Sequence, residues 1–376
     1  MGLKQNKSEK KKPNDEENKK EIIKNNEEII TEKKEELQNK NDKYNKQKNI
    51  NIKLYKTISL DLFKKNVYNN RASIFISCKD NNIYIVYGLT TLDLECYDVL
   101  NNNKFIIIKK LHNRPFDSCR YYYDEINSRD LIITSSFVDV KVVNFQKENS
   151  KVLLSLNFEL EGMIIINTAY FILDKILVPI SSHESGKIKV YDMNSNFSGE
   201  IKDEVGFVLA LNKFYWKKRT KDIILISGIK GVTTFIFEDL SLYKKFIPIS
   251  IKQKSINPFC ESHIFEKNNQ LILIGASFYY GDIYFWNFEN GELNCKISIG
   301  NEISDMCIIN NRFIVACFGF IFINGNNNKI EEIFERKDKD RICGIKVLRH
   351  DSKAIFLISV FLSGKLNLYK IENCNY

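Results

Sequence analysis

Seven segments of this chain share one shape and recur at a nearly fixed interval, and nothing else in the sequence limits the fold as strongly. They read LECYDV at Tyr97, VKVVNF at Val143, GKIKVYDM at Tyr191, GVTTFIFE at Ile236, GDIYFWNF at Trp286, GFIFIN near Asn324 and GKLNLYKI at Tyr369. Successive anchors lie 46, 48, 45, 50, about 38 and about 45 residues apart. A repeat of that length holds about four short strands. Such a unit cannot bury both of its faces alone, so it has to stack on its neighbours.

The runs between anchors support four strands per repeat. The second strand of each repeat is a continuous apolar run: NNIYIVYGL, DLIITSSF, KILVPISS, DIILISGI, QLILIGAS, RFIVACFG and AIFLISVF. A strand that is apolar on both alternating faces is covered on both faces. A short turn follows, often with a glycine (Gly186, Gly231, Gly281, Gly319, Gly364), where a tight backbone is inexpensive. The predicted fold is therefore all-β: a seven-bladed β-propeller of four-stranded antiparallel blades over residues 51–376.

The last repeat lacks a fourth strand, because the sequence stops at Tyr376 just after its third. The missing strand is expected at the other end. IKLYKTISL, residues 52–60, sets Ile52, Leu54, Ile58 and Leu60 at period two ahead of the first full repeat. Pairing this segment to the last blade would close the ring and remove two free sheet edges.

Residues 1–50 differ in kind. They hold 14 Lys against 11 Asp or Glu, a net +3 of the chain's +9. This charged N-terminal tail reads as disordered near Pro13, with a possible helix at 20–47. Ile23, Ile30, Leu37 and Tyr44 recur there every seven residues, backed by Ile22 and Ile29. One filled position per heptad makes a weak coiled-coil seam, suited to docking on a partner or to staying solvated. Gly2 and the Lys10–Pro13 run resemble acylation and nuclear-import signals, and solvated lysines explain both.

The remaining +6 on the body is too diffuse for a nucleic-acid stripe. Nine scattered cysteines, without a CxxC pair, read as free thiols in a reducing compartment. The longest apolar stretch, MIIINTAYFILDKILVPI, is interrupted by Asn167, Asp174 and Lys175, and the N-terminus has no signal-like apolar core. An intracellular location without a membrane span is expected, cytoplasmic in preference to nuclear.

With these residues in view, the chain resembles the WD-repeat β-propeller family over residues 51–376. GDIYFWNFENGELNCKI carries the resemblance best, with Trp286-Asn287 where the family often has Trp-Asp; Tyr191-Asp192 and Tyr97-Asp98 are close variants. The family's Gly-His pair survives as Leu111-His112, and the Asp of its tight turn is mostly replaced. The departure implies that packing, more than His/Asp hydrogen bonding, holds the blades. The resemblance implies a non-catalytic scaffold that assembles protein complexes, with other proteins as partners and no cofactor.

Three sets of residues are candidates for function. The turns between second and third strands carry Phe137, Phe278, Tyr279, Tyr280, Phe318 and Phe361, with His183 in the third repeat. They form either a ring of apolar anchors for a partner or ordinary core between blades. Tyr279 and Tyr280 are the best placed for exposure. Second, KFYWKKRTKD sets Trp216, Lys217, Lys218 and Arg219 in a hairpin tip of the fourth repeat, either an anion site for phosphoinositide or nucleic-acid phosphates or a solvated tip. Third, Cys260 and His263 have metal-like spacing but no second pair, and read as a core cysteine beside a surface histidine. The four His fall in different repeats without a catalytic motif. An enzyme would require an acidic or histidine cluster lining the channel.

Overall fold

The computed structural model describes residues 51–59, 72–158, 165–166, 169–181, 186–203, 208–229, 231–248, 258–309, 312–317, 319–324, 329–335, 342–349, 355–361 and 365–372. The possible helix at 20–47 lies outside them. Within the described residues the chain forms seven antiparallel sheets. Blade 1 spans residues 72–108, blade 2 116–157, blade 3 165–203, blade 4 208–246, blade 5 259–298 and blade 6 305–335. Blade 7 combines 342–372 with Asn51–Ser59. In blade 3 the innermost strand is split into Ile165–Ile166 and Tyr170–Ile172, both paired to Lys175–Ser181. No helix among the described residues is long and apolar enough to cross a membrane.

Closure takes the predicted form. Asn51–Ser59 pairs antiparallel with Lys365–Glu372 as the outer strand of blade 7. Its side-chain pattern differs from simple alternation, because the register shifts between Leu54 and Lys56. A bulge of this kind re-aims the residues on one side of it. Ile58 is 5% exposed and sits among Ile74, Ile85, Tyr87, Leu366 and Leu368, at the seam between blades 7 and 1. Leu54, assigned the same face by period two, is 56% exposed.

The core is divided among the seams. Each of the seven apolar clusters joins two consecutive blades, and together they run once around the ring. This is why the second strands are apolar on both faces. Ile83–Gly88, Arg129–Ser136 and Lys221–Gly228 are buried throughout or nearly so.

Hydrogen bonding supports packing more than the degenerate motifs imply. His112, just before blade 2, bonds through Nδ1 to Asp139 Oδ1 and through Nε2 to Thr134 Oγ1, both at 2.8 Å. Ser136 Oγ also donates to the Asp139 carboxylate. The imidazole is buried and meets Phe116 edge to face. The His/Asp support is thus built in blade 2 even though Leu111 stands where the family has glycine.

Candidate partner-binding face and central channel

Because strands alternate direction, the turns between second and third strands of every blade share one face of the ring. The hairpins between first and second strands share the other. The aromatic turn residues and the basic hairpin therefore lie on opposite faces.

On the first face, the blade 5 turn is held from several sides. Phe278 N–H donates to the Pro258 carbonyl, Ile303 N–H to Phe278 O, and Ile299 N–H to Gly281 O. Gly281 has φ +63°, and a Cβ there would meet the Asn301 carbonyl oxygen at 2.0 Å. No other residue fits without displacing that loop. The locked turn presents Tyr279 and Tyr280 at 57% and 50% exposure. Phe278 is partly buried and packs edge to face on Tyr279, with 4.9 Å between ring centres.

Phe137, on the corresponding turn of blade 2, is also exposed. It sits three blades away across the channel mouth, so it does not extend the tyrosine patch. Phe361 ends the strand Ile355–Phe361 of blade 7, opposite Ile342, and so belongs to the strand and not to the turn. His183 and Phe318 lie outside the described residues.

On the opposite face, Lys217–Arg219 forms a single 3-10 turn between Val208–Trp216 and Lys221–Gly228. Trp216 is not interleaved with the cations at the surface. It is buried in the seam between blades 4 and 5, against Tyr243 and Phe288. Arg219 lies over the Trp216 ring at 4.4 Å and caps it. Lys218 Nζ donates to the Asn269 carbonyl of blade 5. Lys218 thus ties blade 4 to blade 5, while Arg219 is engaged within its own blade.

The third location is the channel itself, a cavity of about 530 Å³. Its wall carries Arg120 from blade 2, Glu261 and His263 from blade 5, Asp305 from blade 6 and Lys346 from blade 7. Burial pushes the carboxyls of Glu261 and Asp305 up to about 7. Repulsion between the pair adds to this at Asp305, and the positive Arg120 partly offsets it. Burial and, second to it, the Arg120 charge lower Lys346 to about 8. His263 is half-buried on the channel wall: its Nε2 lies 3.1 Å from the Met306 carbonyl and 4.0 Å from Glu261 Oε1, and burial lowers its pKa. Cys260 donates to Ala276 O instead of facing His263. No group of three or more metal-ligating side chains occurs among the described residues.

The channel cluster is the feature that sequence reading missed. Its residues are scattered over 226 positions of sequence from Arg120 to Lys346, one or two per repeat. The available signal was a single charged residue inside the mainly apolar innermost strands SCRYYYD, FCESHIF and ICGIKVL.

Comparison with known proteins places the fold. No family model matches the sequence, and no curated protein matches it. Among solved structures, a chain of the mitotic checkpoint complex superposes with a TM-score of 0.65 at 9% identity, covering 87% of this chain and 94% of that one. Raptor of Chaetomium thermophilum gives 0.60 at 11% identity over 86% of this chain and 29% of its own length. BBS1N, solved in complex with ARL6DN and soaked with lead, gives 0.60 at 10% identity, covering 84% and 96%. At these identities the likeness is one of fold, and that fold is a seven-bladed β-propeller.

Proposed function

We propose that this chain is a non-catalytic interaction scaffold of the WD-repeat type, which binds protein partners on the face carrying the turns between second and third strands. The observation that carries this reading is the Tyr279–Tyr280 pair. Two adjacent aromatic side chains stand half-exposed on a turn that Gly281 and three backbone hydrogen bonds hold rigid. Rigid tyrosines offer large amphipathic contact area at little entropic cost, and such residues dominate binding energy at interfaces. The buried His112–Asp139–Thr134 network supports the WD-type assignment. The fold neighbours support it in a general way, because two were solved within complexes. Free cysteines, some of them buried, fit an intracellular setting.

The alternative, an adaptor for phosphoinositide or nucleic acid through the basic hairpin, is weakened by the burial of Trp216 and the engagement of Lys218 and Arg219. The test is a quantitative pull-down comparing the intact protein with the Tyr279→Ala/Tyr280→Ala and Phe137→Ala variants, each first shown to melt normally. The reading expects a defined set of partners to be lost with the tyrosine pair. Partners that persist in both variants would refute this face.

A further inference from the structure

We infer that the central channel is a binding site for a small phosphate ester, whose phosphate is held between Arg120 and Lys346. This stands independently of the partner-binding face. The argument begins with what the channel's charges touch. Arg120 and Lys346 project from the innermost strands of blades 2 and 7, on either side of blade 1. Blade 1 contributes Ala72 and Ser73 to the wall between them, which leaves room. Lys346 lies near enough to Arg120 for the two charges to repel, and its Nζ stands 5.6 Å from the ring of Tyr121, whose N–H donates to Ser73 Oγ.

Neither cation forms an ion pair with a carboxylate among the described residues, although Lys141, Lys147, Lys187, Lys213 and Lys296 all do. The channel does hold two carboxylates, but both are committed to N–H donors. Asp305 Oδ1 accepts from the Met306 N–H at 2.7 Å, and Oδ2 from the Ile345 N–H at 2.8 Å. Glu261 Oε1 accepts from the Asn212 amide and from the Ser262 N–H. Glu261 and Asp305 favour the Arg120 charge, but with both carboxyls held up at about 7 they offset the two cations only in part below that pH, which leaves a site for an anion supplied from outside. A guanidinium fork beside an ammonium suits a tetrahedral oxyanion.

The cavity exceeds a bare phosphate and falls in the range of small-ligand sites. On the same wall, Glu261 and Tyr170 offer hydrogen-bond partners for hydroxyl groups on the body of the ligand. Hence an ester fits better than the free ion.

The surrounding titratable groups give the site a direction of pH dependence. Tyr121 and Tyr122 face it from blade 2, Tyr170 from blade 3 and Cys307 from blade 6. All four are raised by burial and stay neutral between pH 6 and 8. Glu261 and Asp305 gain charge as pH rises through 7, His263 loses any charge, and Lys346 begins to lose its own near 8. Every change makes the channel less positive, so anion affinity falls as pH rises.

The test uses the full chain and isothermal titration calorimetry. Sulfate serves as the pH-independent dianion, inorganic phosphate as the free ion and glycerol phosphate as the ester. Expected are one site, at least tenfold weaker binding in Arg120→Gln and in Lys346→Gln, and unchanged binding in Lys217→Gln/Lys218→Gln/Arg219→Gln. Glycerol phosphate should bind at least threefold more tightly than phosphate, and sulfate more weakly at pH 8 than at pH 6. Circular dichroism melts confirm that each variant folds; should one fail, the other decides. The proposal falls if the intact protein binds none of the three probes, if the folded channel variants bind as tightly as the intact protein, or if only the hairpin variant loses binding. Equal affinity for ester and free ion overturns the ester.

Discussion

Replacing Ile58 with alanine tests how the ring is closed, and it separates the structure from the simple pattern. Period two places Leu54 and Ile58 on one face, whereas the bulge at Leu54/Lys56 sends Leu54 to solvent and leaves Ile58 5% exposed at the seam of blades 7 and 1. Removing the buried Ile58 side chain leaves a cavity walled by Ile74, Leu366 and Leu368, at a cost of about 2–4 kcal/mol. For a cooperative unit of this size, the entropy of unfolding converts that loss into about 3–6 °C of melting temperature. Leu54→Ala removes mostly solvated surface and should change stability by less than about 0.5 kcal/mol, under 1 °C. Deleting residues up to Ser59 removes the strand altogether, uncovers the edge of Lys365–Glu372 and should lower the melting temperature further than Ile58→Ala does. The assay is thermal unfolding followed by circular dichroism at fixed protein concentration. Equal losses for Ile58→Ala and Leu54→Ala would refute the register. A truncated chain that melts with the intact one would refute the clasp.

Two further substitutions probe single sites. His112→Ala removes both buried hydrogen bonds and leaves the Asp139 carboxylate short of a partner, a loss of about 2–4 kcal/mol by denaturant titration; Asp139→Ala added to it should cost less than the two separate losses combined. Burial opposes ionisation of Asp139, but the His112 bond and charge outweigh it, so its pKa is depressed. That contribution is present above the unfolded carboxyl value of about 3.9 and is lost as pH falls through the lower folded value, so the His112→Ala deficit should shrink in acid. Gly281→Ala forces a Cβ against Asn301 O at a φ of +63°, which should cost about 1–3 kcal/mol and reduce partner capture by displacing Tyr279 and Tyr280.

The architecture was readable because a propeller writes one instruction seven times. Apolar second strands such as QLILIGAS are required at every seam, so even degenerate repeats keep the period. The closing strand was readable for a related reason: a last blade with three strands and an unassigned strand at the far end admit few arrangements. The bulge at Leu54 was not readable, because a one-residue shift leaves no mark in hydropathy; what decides it is the pairing to Tyr369 and Leu368. The His112–Asp139 bond was obscured likewise. Leu111 broke the motif at the level of letters, while the geometry needed only the imidazole and the carboxylate.

Function was less legible than fold, and the channel shows why. Residues that converge there are neighbours only after the ring closes, since each innermost strand contributes one or two side chains to a common axis. A single arginine in SCRYYYD or lysine in ICGIKVL has no meaning along the chain. Around the axis, Arg120 and Lys346 face the same cavity, while Asp305 and Glu261 are held by N–H groups from their own and adjacent blades. A packed ring has no structural need for two cations on one cavity at its centre, because their repulsion and desolvation oppose closure. Among the described residues neither cation forms an ion pair with the carboxylates that line the same cavity. Glu261 and Asp305 compensate the Arg120 charge only in part while burial holds them up at about 7, and an anion would supply the remainder, which makes the ligand, and not the blades, the quantity to measure at the axis.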